Sequence, residues 1–307
     1  MGVLTNPYAF LNNFGEGSVV QLSLGDNVFN FSGENVIREI PSGASTMEIK
    51  LWGGGGSGGI FGASQTGGGG GFTIAEYSVS PGDRLIIQVG EGGYPGLDST
   101  EGGQGGWPDG GDGGRGDAIG GGGGGSSRIW LEGVLVAVAG GGGGAAGFAV
   151  DAGAGGGSSG ENGSNSTTGS GGSQIAGGVD QNDNTDVQKT GVQIDTGTPG
   201  SINRTGGQGF GDGIADRFES TSDDGGGGGG GFYGGGGGGG DADAGGGGSG
   251  YLDGSESSGS TSAGIAETPA GTGDGDYPGS PIGEGSNSTF GDPGNSGGDG
   301  YIIINLS

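Results

Sequence analysis

The stretch GGGGGGGFYGGGGGGG, residues 225–240, decides how the rest of this chain is interpreted. Pure glycine runs also occupy residues 121–125 and 140–144. Glycine accounts for 97 of the 307 residues, whereas an average protein contains roughly 7%. Short apolar segments such as Leu85–Val89 lie between the runs, and a flexible glycine linker would not contain them. The glycine runs are therefore predicted to be ordered.

An ordered glycine run must be stabilised through its backbone. Glycine buries no side chain and loses more conformational entropy on ordering than any other residue. A polyproline II helix has three residues per turn and no internal hydrogen bonds, so its N–H and C=O groups point outward. Without Cβ atoms, neighbouring helices can approach closely and bond to one another. We predict a bundle of parallel and antiparallel glycine rods, each seven-residue run spanning ~22 Å at ~3.1 Å per residue.

The apolar segments predict strands that share one core. Residues 47–52 alternate in polarity, with Met47, Ile49 and Leu51 on one face. Further strands are predicted at 72–79, 84–89, 127–139 and 301–306, and Glu132-Gly133 is typical of a hairpin turn. Between about 140 and 300 there is almost no strand signal, and no segment has helical periodicity. The predicted fold class is all-β plus polyglycine II: a small antiparallel sheet or sandwich packed on a bundle of glycine-rich polyproline II helices.

The N-terminal part differs in composition from the remainder. Residues 1–45 contain little glycine and several apolar clusters that are typical of short strands, whereas residues 46–307 form the glycine-rich domain. Two interpretations stay open for residues 1–45. The segment is either an attachment module or the first strands of a single domain.

Composition excludes several classes of function. The chain has no cysteine and no histidine, which removes disulfides, thiolate metal sites and histidine general bases. Its net charge is −27, and a field of that sign repels nucleic acids and anionic membranes. No apolar run approaches the roughly 18 residues of a membrane span. Residues 1–7 lack the basic and apolar regions of a secretory signal peptide.

Several motifs in order along the chain carry a resemblance to a known family. They are Ile49–Gly56, Gly68–Phe72, the Pro81-Gly82-Asp83 turn with the strand to Gly90, Gly124–Ile129, Val136–Gly143 and Gly300–Ile304. Asp299 stands where the family more often has glycine. The chain resembles, over residues 47–306, the glycine-rich polyglycine II domain of phage virion proteins and some receptor-kinase ectodomains. It is similar in principle to the polyglycine sandwich of tail-fibre adhesins of T-even-like phages.

The resemblance implies display on a surface rather than catalysis. It favours a structural, non-enzymatic binding protein of a phage virion: a tail fibre, a tail-tip adhesin or a capsid decoration that presents loops for host attachment. The expected partners are other virion proteins, through the N-terminal segment, and a host surface glycan or protein, with a homo-oligomer supplying avidity. Nucleic acid binding and membrane insertion are not expected. The alternative is a subunit of a microbial extracellular filament or surface layer.

Isolated aromatic residues are the candidate binding residues. Aromatic side chains contact sugars and proteins with little entropy loss, because they have only two side-chain torsions. The alternative role is to fill gaps at the ends of the rod bundle. The residues predicted to bind lie where glycine runs are interrupted, and they are Tyr94, Trp107, Phe210, Phe218 and Tyr277.

The acidic clusters predict neither a cofactor nor a metal. Asp109, Asp112 and Asp117 share one loop, and two further aspartate pairs are Asp241 with Asp243 and Asp274 with Asp276. Their oxygens suit Ca²⁺, but no EF-hand or nine-residue repeat is present. Solvated surface charge is therefore the favoured interpretation.

Overall fold

The computed structural model describes residues 19–59, 65–97, 102–114, 119–146, 151–164, 168–179, 225–238, 243–288 and 295–307. These residues contain no helix and form an all-β fold. The strands are β1 (Val20–Gln21), β2 (Gly25–Asn30), β3 (Val36–Glu39), β4 (Thr46–Trp52), β5 (Gln65–Thr66), β6 (Phe72–Ser78), β7 (Arg84–Gln88), β8 (Ser127–Leu131), β9 (Val134–Ala139), β10 (Tyr251–Leu252), β11 (Ser258–Ser262), β12 (Asn287–Ser288) and β13 (Tyr301–Leu306).

Two sheets face each other as a sandwich. The six-stranded sheet has the order β1-β3-β7-β8-β9-β10, and the five-stranded sheet has the order β11-β6-β4-β13-β2. Neighbouring strands are antiparallel, except that β1 runs parallel to β3. A two-stranded pair, β12-β5, lies apart from both sheets. The predicted hairpin at Glu132-Gly133 is confirmed between β8 and β9.

One apolar core fills the space between the sheets. Alternate residues of β4 and β13, including Ile49, Leu51 and Ile304, pack against Leu85, Ile87 and Ile129 of the opposite sheet. These side chains are fully buried. The predicted strands at 47–52, 72–79, 84–89, 127–139 and 301–306 therefore do share one core, because their alternation places one apolar face inward.

The described part of the N-terminal segment belongs to this sandwich. Strand β2 pairs with β13 in the five-stranded sheet, while β1 and β3 extend the six-stranded sheet beyond β7. Leu22, Phe29 and Ile40 are buried in the shared core. Residues 19–45 thus supply strands to both sheets, and an attachment role for residues 1–45 stays a prediction.

The sequence predicts none of the three strands, β10, β11 and β12, that the described residues form between positions 140 and 300. Strand β11 has the sequence Ser-Gly-Ser-Thr-Ser and pairs along its whole length with β6. It contains no apolar residue, and four of its five residues are exposed. Edge strands of this kind lack the alternating pattern that reveals a half-buried strand. The two-residue strands β10 and β12 are too short to have a periodic pattern.

All glycine segments that adjoin the sandwich leave it at the same end. Strands β4, β7 and β9 finish there, and β6, β8 and β13 begin there, as their antiparallel registers require. The glycine segments that follow β4, β7 and β9 lead the chain away from the sandwich, and those that precede β6, β8 and β13 lead it back. We call this second region the glycine bundle. It comprises the described residues of 53–59, 67–71, 90–97, 102–126, 140–179, 225–250, 283–286 and 295–300.

Hydrogen bonds between segments of the glycine bundle repeat every three residues. Successive amides of one segment donate to three different neighbours, and the fourth amide returns to the first neighbour. After β4 the donor and acceptor pairs, at 2.8–3.0 Å, are Gly53 to Gly71, Gly54 to Gly125, Gly55 to Gly298, Gly56 to Gly68 and Ser57 to Gly122. Parallel neighbours show the same step, with pairs Gly226 to Asp243, Gly229 to Gly246 and Phe232 to Ser249.

The close approach of these segments explains why they consist of glycine. A Cβ atom on Gly142 would lie 1.9 Å from the carbonyl oxygen of Gly68, and one on Gly226 would lie 1.9 Å from that of Gly144. Real Cβ atoms do not approach backbone oxygens so closely. Both obstacles are main-chain atoms, which cannot move aside as a flexible side chain can. The bundle therefore excludes even an alanine methyl group at these positions.

Aromatic residues fasten the glycine bundle and a loop to the outer faces of the sandwich. Phe232 and Tyr233, between the two longest glycine runs, pack on Ile86, Trp130 and Val138 of the six-stranded sheet. On the five-stranded sheet, Ala270 and Ile282 of the 264–284 loop cover Trp52 and Phe72. Both sheets are thus buried on two faces along part of their length.

The end of the bundle away from the sandwich is formed by residues from several segments. The Ser288 hydroxyl donates to the carbonyl of Gly59, and Ser288 also pairs with Gln65. Asp151 accepts a hydrogen bond from the amide of Thr66 at 3.0 Å. We call this region the distal end. It brings together described residues that border the ranges 60–64, 147–150 and 289–294.

Candidate binding site

The structure brings two of the five predicted binding residues together. Tyr94 lies in the segment after β7, and Trp107 lies in the adjoining segment of the bundle. Tyr277 lies in the loop that covers the five-stranded sheet. Phe210 and Phe218 fall within residues 180–224, outside the described residues. The prediction that these five residues bind a ligand stays a prediction.

Glu91 connects Tyr94 to Trp107. The Tyr94 hydroxyl donates to Oε1 of Glu91, and the amide of Trp107 donates to Oε2 of the same carboxylate at 3.0 Å. The backbones are also joined, because the amide of Glu91 donates to the carbonyl of Trp107 at 2.7 Å. The Trp107 ring lies 6.1 Å from that of Phe31. The two aromatic residues are therefore held in place where the sandwich meets the bundle.

The hydrogen bond to Glu91 changes the acidity of Tyr94. It raises the pKa of Tyr94 to about 12, with partial burial and the negative charge of Glu91 acting in the same direction. Ionised Tyr94 would place two negative charges against each other, so the neutral phenol is favoured. The phenol stays protonated and bound to the carboxylate throughout the physiological pH range.

An exposed surface surrounds this connection. Tyr94 is 39% exposed and Leu97 is 71% exposed, while Trp107 is half-buried. The amide of Tyr94 donates to the carbonyl of Gln104, whose side chain is exposed. We call Glu91, Tyr94, Leu97, Gln104 and Trp107 the aromatic patch. It offers ring faces for stacking and carboxylate and amide oxygens that accept hydrogen bonds, the combination found at many small-ligand sites.

Sequence reasoning missed Glu91, although a signal for it was present. Glu91, Tyr94 and Leu97 are spaced by three residues, the period of the hydrogen bonds in this bundle. Residues at this spacing lie on one side of a three-residue turn, as they do in polyproline II. Recognition of that period in a segment with few side chains would have placed all three on one surface.

Tyr277 occupies a packing position. Its ring centroid lies 5.9 Å from that of Trp52, and its hydroxyl donates to the carbonyl of Ile282 at 2.9 Å. Burial raises its pKa. The residue is half-buried and helps to hold the 264–284 loop against the five-stranded sheet.

The prediction of solvated surface charge is wrong for Asp243, which is buried, and for Asp109. The Asp109 carboxylate is fully buried and forms an ion pair with the buried guanidinium of Arg128. It also accepts hydrogen bonds from the amide and the hydroxyl of Ser126, at 2.8 and 3.0 Å. Burial lowers the pKa of Arg128, and Asp109 opposes that change. This pair joins the glycine bundle to β8.

The aspartate pair at 274 and 276 also has a cationic partner. Lys50 Nζ lies 2.9 Å from Asp274 and 2.7 Å from Asp276. Burial alone would lower the pKa of Lys50, but the hydrogen bonds that its ammonium group donates to the two carboxylates raise the pKa above its ordinary value. These aspartates hold the 264–284 loop on β4. Within the described ranges, no group of three or more acidic, histidine or cysteine side chains is placed to hold a metal ion.

A groove of about 260 Å³ lies on the outer face of the five-stranded sheet. Its lining includes Glu48, Ile74, Glu76, Ser258 and Ser260. Glu48 and Glu76 are directly opposite each other in the register of β4 and β6. The groove is acidic and has no aromatic wall, so it lacks the stacking surface of the aromatic patch.

Comparisons with known proteins provide no assignment. No protein-family model and no curated protein matches the chain. Among the residues that the structure describes, no helix is long and apolar enough to cross a membrane.

Proposed function

We propose that the glycine segments form a polyglycine II bundle. The three-residue period of the hydrogen bonds supports this geometry, since a threefold helix directs successive residues to three different sides. The Cβ distances support it as well, because they leave room for glycine alone at positions such as Gly142 and Gly226. In this arrangement the main-chain hydrogen bonds take the place of a side-chain core.

We propose further that the protein is a structural binding protein of a phage virion surface. The observation that carries this proposal is a layout with two ends: the described glycine segments that adjoin the sandwich all lie on the same side of it, between the strands and the distal end. Such a scaffold holds surface side chains of the bundle, those of the aromatic patch among them, in fixed positions beside a strand-built base. Together with the family resemblance, this layout favours a tail fibre, tail-tip adhesin or capsid decoration over an enzyme.

The proposed ligand is a glycan or a protein of the host surface, bound at the aromatic patch. Tyr94 and Leu97 supply exposed ring and aliphatic surface, while the Glu91 carboxylate keeps Tyr94 in one orientation. A fixed aromatic loses little entropy on binding. Several copies on one particle would convert a weak contact into firm attachment. Residues 1–45 are proposed to contact other virion proteins, and the charge of −27 disfavours nucleic acid as a partner.

Labelling of source particles tests the location. A gold-labelled antibody raised against residues 150–300 is expected to mark virions at tail or fibre tips. Label over the head would keep the virion assignment and indicate a capsid decoration. Label on free filaments with none on virions would contradict the proposal.

Binding of the purified protein to host cells tests the aromatic patch. Replacement of Tyr94 and Leu97 by serine is expected to abolish binding with little change in melting temperature. The matched control is Ile265→Ser, which alters an apolar residue that is 75% exposed elsewhere on the surface. Equal binding by both variants and the unmodified protein would remove the patch from the proposal.

The alternative function is a subunit of a microbial extracellular filament or surface layer. One observation favours it: within the described chain the five-stranded sheet ends in two different strands, β11 on one side and β2 on the other. Pairing of β2 of one copy with β11 of the next would create a head-to-tail contact that does not close. Long assemblies of the purified protein in electron micrographs would support this alternative.

A further inference from the structure

Strand β2 forms an edge of the five-stranded sheet. It pairs with β13 over its full length, Gly25–Asn30, and no described strand lies on its other side. Natural edge strands are commonly protected by lysine, proline or a bulge. The sequence Gly-Asp-Asn-Val-Phe-Asn of β2 contains neither residue, and its register with β13 is unbroken. The edge is thus a regular pairing surface.

The register shows which backbone groups face away from the sheet. Thr46 of β4 and Ser307 exchange hydrogen bonds at 2.9 and 3.1 Å. In antiparallel sheets, bonding alternates along a strand. In β13, the main-chain groups of residues 301, 303 and 305 therefore bond to β4. The main-chain groups of residues 302, 304 and 306 bond to β2. Their partners in β2 are Gly25, Asn27 and Phe29. The main-chain groups of Asp26, Val28 and Asn30 therefore face away from β13, toward the open edge of the sheet.

Apolar side chains are exposed on the same flank of the molecule. Val28 is 50% exposed in β2, and Leu24 immediately before the strand is 56% exposed. Val20 in β1, at the matching edge of the six-stranded sheet, is 58% exposed. Burial of such side chains is favourable at about 25 cal/mol per Å² of apolar surface. This flank therefore combines unpaired backbone groups with apolar surface.

We propose that β2 pairs with β2 of a second copy about a twofold axis, joining the two five-stranded sheets into one. With Val28 opposite Val28 of the second copy, all three outward-facing residues find partners, because Asp26 then lies opposite Asn30. The two Val28 side chains cover each other on the outer face. A contact of this kind is isologous and closes as a dimer.

The charges of the edge permit this pairing. Asp26 is the one acidic residue of β2, and it accepts a hydrogen bond from Nδ2 of Asn305. In the proposed register the two Asp26 side chains are four residues apart, roughly 13 Å at ~3.3 Å per residue. That separation exceeds the Debye length of about 8 Å at physiological ionic strength. The opposite edge, β11, offers only serine, glycine and threonine and has no apolar side chain to bury.

A disulfide tests the register directly. The chain has no cysteine, so Val28→Cys introduces a single thiol. Paired residues at the proposed twofold lie about 5.5 Å apart between Cα atoms, within the range that a disulfide spans. Mild oxidation is expected to give a covalent dimer rapidly. The control is Val134→Cys, an equally exposed position at the start of β9, which is expected to stay monomeric. Equal cross-linking rates for the two variants would overturn the proposal.

Sedimentation measures the association without any cross-link. The unmodified protein is expected to dimerise at physiological salt. Val28→Asp is expected to weaken dimerisation by roughly 10-fold, because it sets like charges directly opposite each other and removes the contact between the two Val28 side chains, while Val134→Asp leaves it unchanged. Melting temperatures of both variants verify that they remain folded. A monomeric unmodified protein, or a dimer that Val28→Asp does not weaken, would contradict the proposal whatever the particle labelling shows.

Discussion

The sandwich and the glycine bundle are stabilised in different ways, the first by packed side chains and the second by contacts between main chains. In the sandwich, apolar side chains such as Ile49 and Ile87 fill the space between two sheets. In the bundle, the main chains themselves touch, and hydrogen bonds between glycines such as Gly142 and Gly54 hold them together at 3.0 Å. The stability of the folded protein is therefore sensitive to opposite kinds of substitution in the two regions. Removal of atoms harms the sandwich, and addition of atoms harms the bundle.

The largest effect is expected where the two regions meet. Asp109→Ala removes the partner of Arg128 and leaves a buried guanidinium without its counter-charge, which costs about 3–5 kcal/mol. Urea unfolding measures the loss. The control is Asp276→Ala, which removes a carboxylate that is 53% exposed and is expected to cost less than about 1 kcal/mol. Similar losses for the two variants would mean that Asp109 does not join the regions.

The next effect distinguishes the bundle from a flexible glycine tract. Gly142→Ala directs a methyl group at the Gly68 carbonyl and is expected to cost about 3 kcal/mol, the upper part of the usual range for overpacking. Gly273→Ala is the matched control, because nothing lies within 4 Å of its Cβ position. Thermal unfolding compares the two. Equal melting temperatures for the two variants would contradict the close packing of main chains in the glycine bundle.

A smaller effect of opposite origin is expected in the sandwich. Ile49→Val deletes one methylene from the fully buried core and is expected to cost about 1 kcal/mol. The informative comparison is between the losses of unfolding free energy caused by Ile49→Val and by Gly142→Ala, since the first variant loses a carbon atom and the second gains one. The midpoints of urea unfolding measure these losses for both variants. A more damaging Ile49→Val would indicate that the bundle is looser than the sandwich.

The smallest effect is confined to alkaline pH. The pKa of Tyr94 is raised to about 12 in the folded protein, from 10.0 for an ordinary tyrosine. The hydrogen bond to Glu91 therefore contributes its full stability below pH 10 and loses it as the pH rises toward 12. Spectrophotometric titration of the unmodified protein and Tyr94→Phe checks this. The difference between the curves should titrate near pH 12, and a difference centred at pH 10 would refute the connection.

Sequence reasoning succeeded where a local period decides the structure. The alternation in 47–52 and the apolar run in 301–306 predict strands, and Glu132-Gly133 predicts a hairpin, because these signals reside in neighbouring residues. Strand β11 escaped notice, since Ser258–Ser262 has no apolar face.

Contacts between distant segments could not be predicted. The sequence predicts a solvated Asp109, because its partner, Arg128, lies nineteen residues away and is brought to it only by packing of the bundle on β8. The connection of Tyr94 to Trp107 depends on Glu91 in the same way, although its three-residue spacing was visible. Phe210 and Phe218 lie outside the described residues, and their binding role stays a prediction.

Hydrogen exchange of the glycine amides tests whether main-chain hydrogen bonds hold the glycine bundle together. The amides of Gly141, Gly142 and Gly143 donate to three different segments at 2.7–3.0 Å, and none relies on a side chain. Exchange rates reveal the free energy of local opening, segment by segment. We expect residues 140–144 to be protected as strongly as β8 and β9 beside them. Exchange of these glycines at the rate of an unfolded chain, with β8 and β9 still protected, would contradict it.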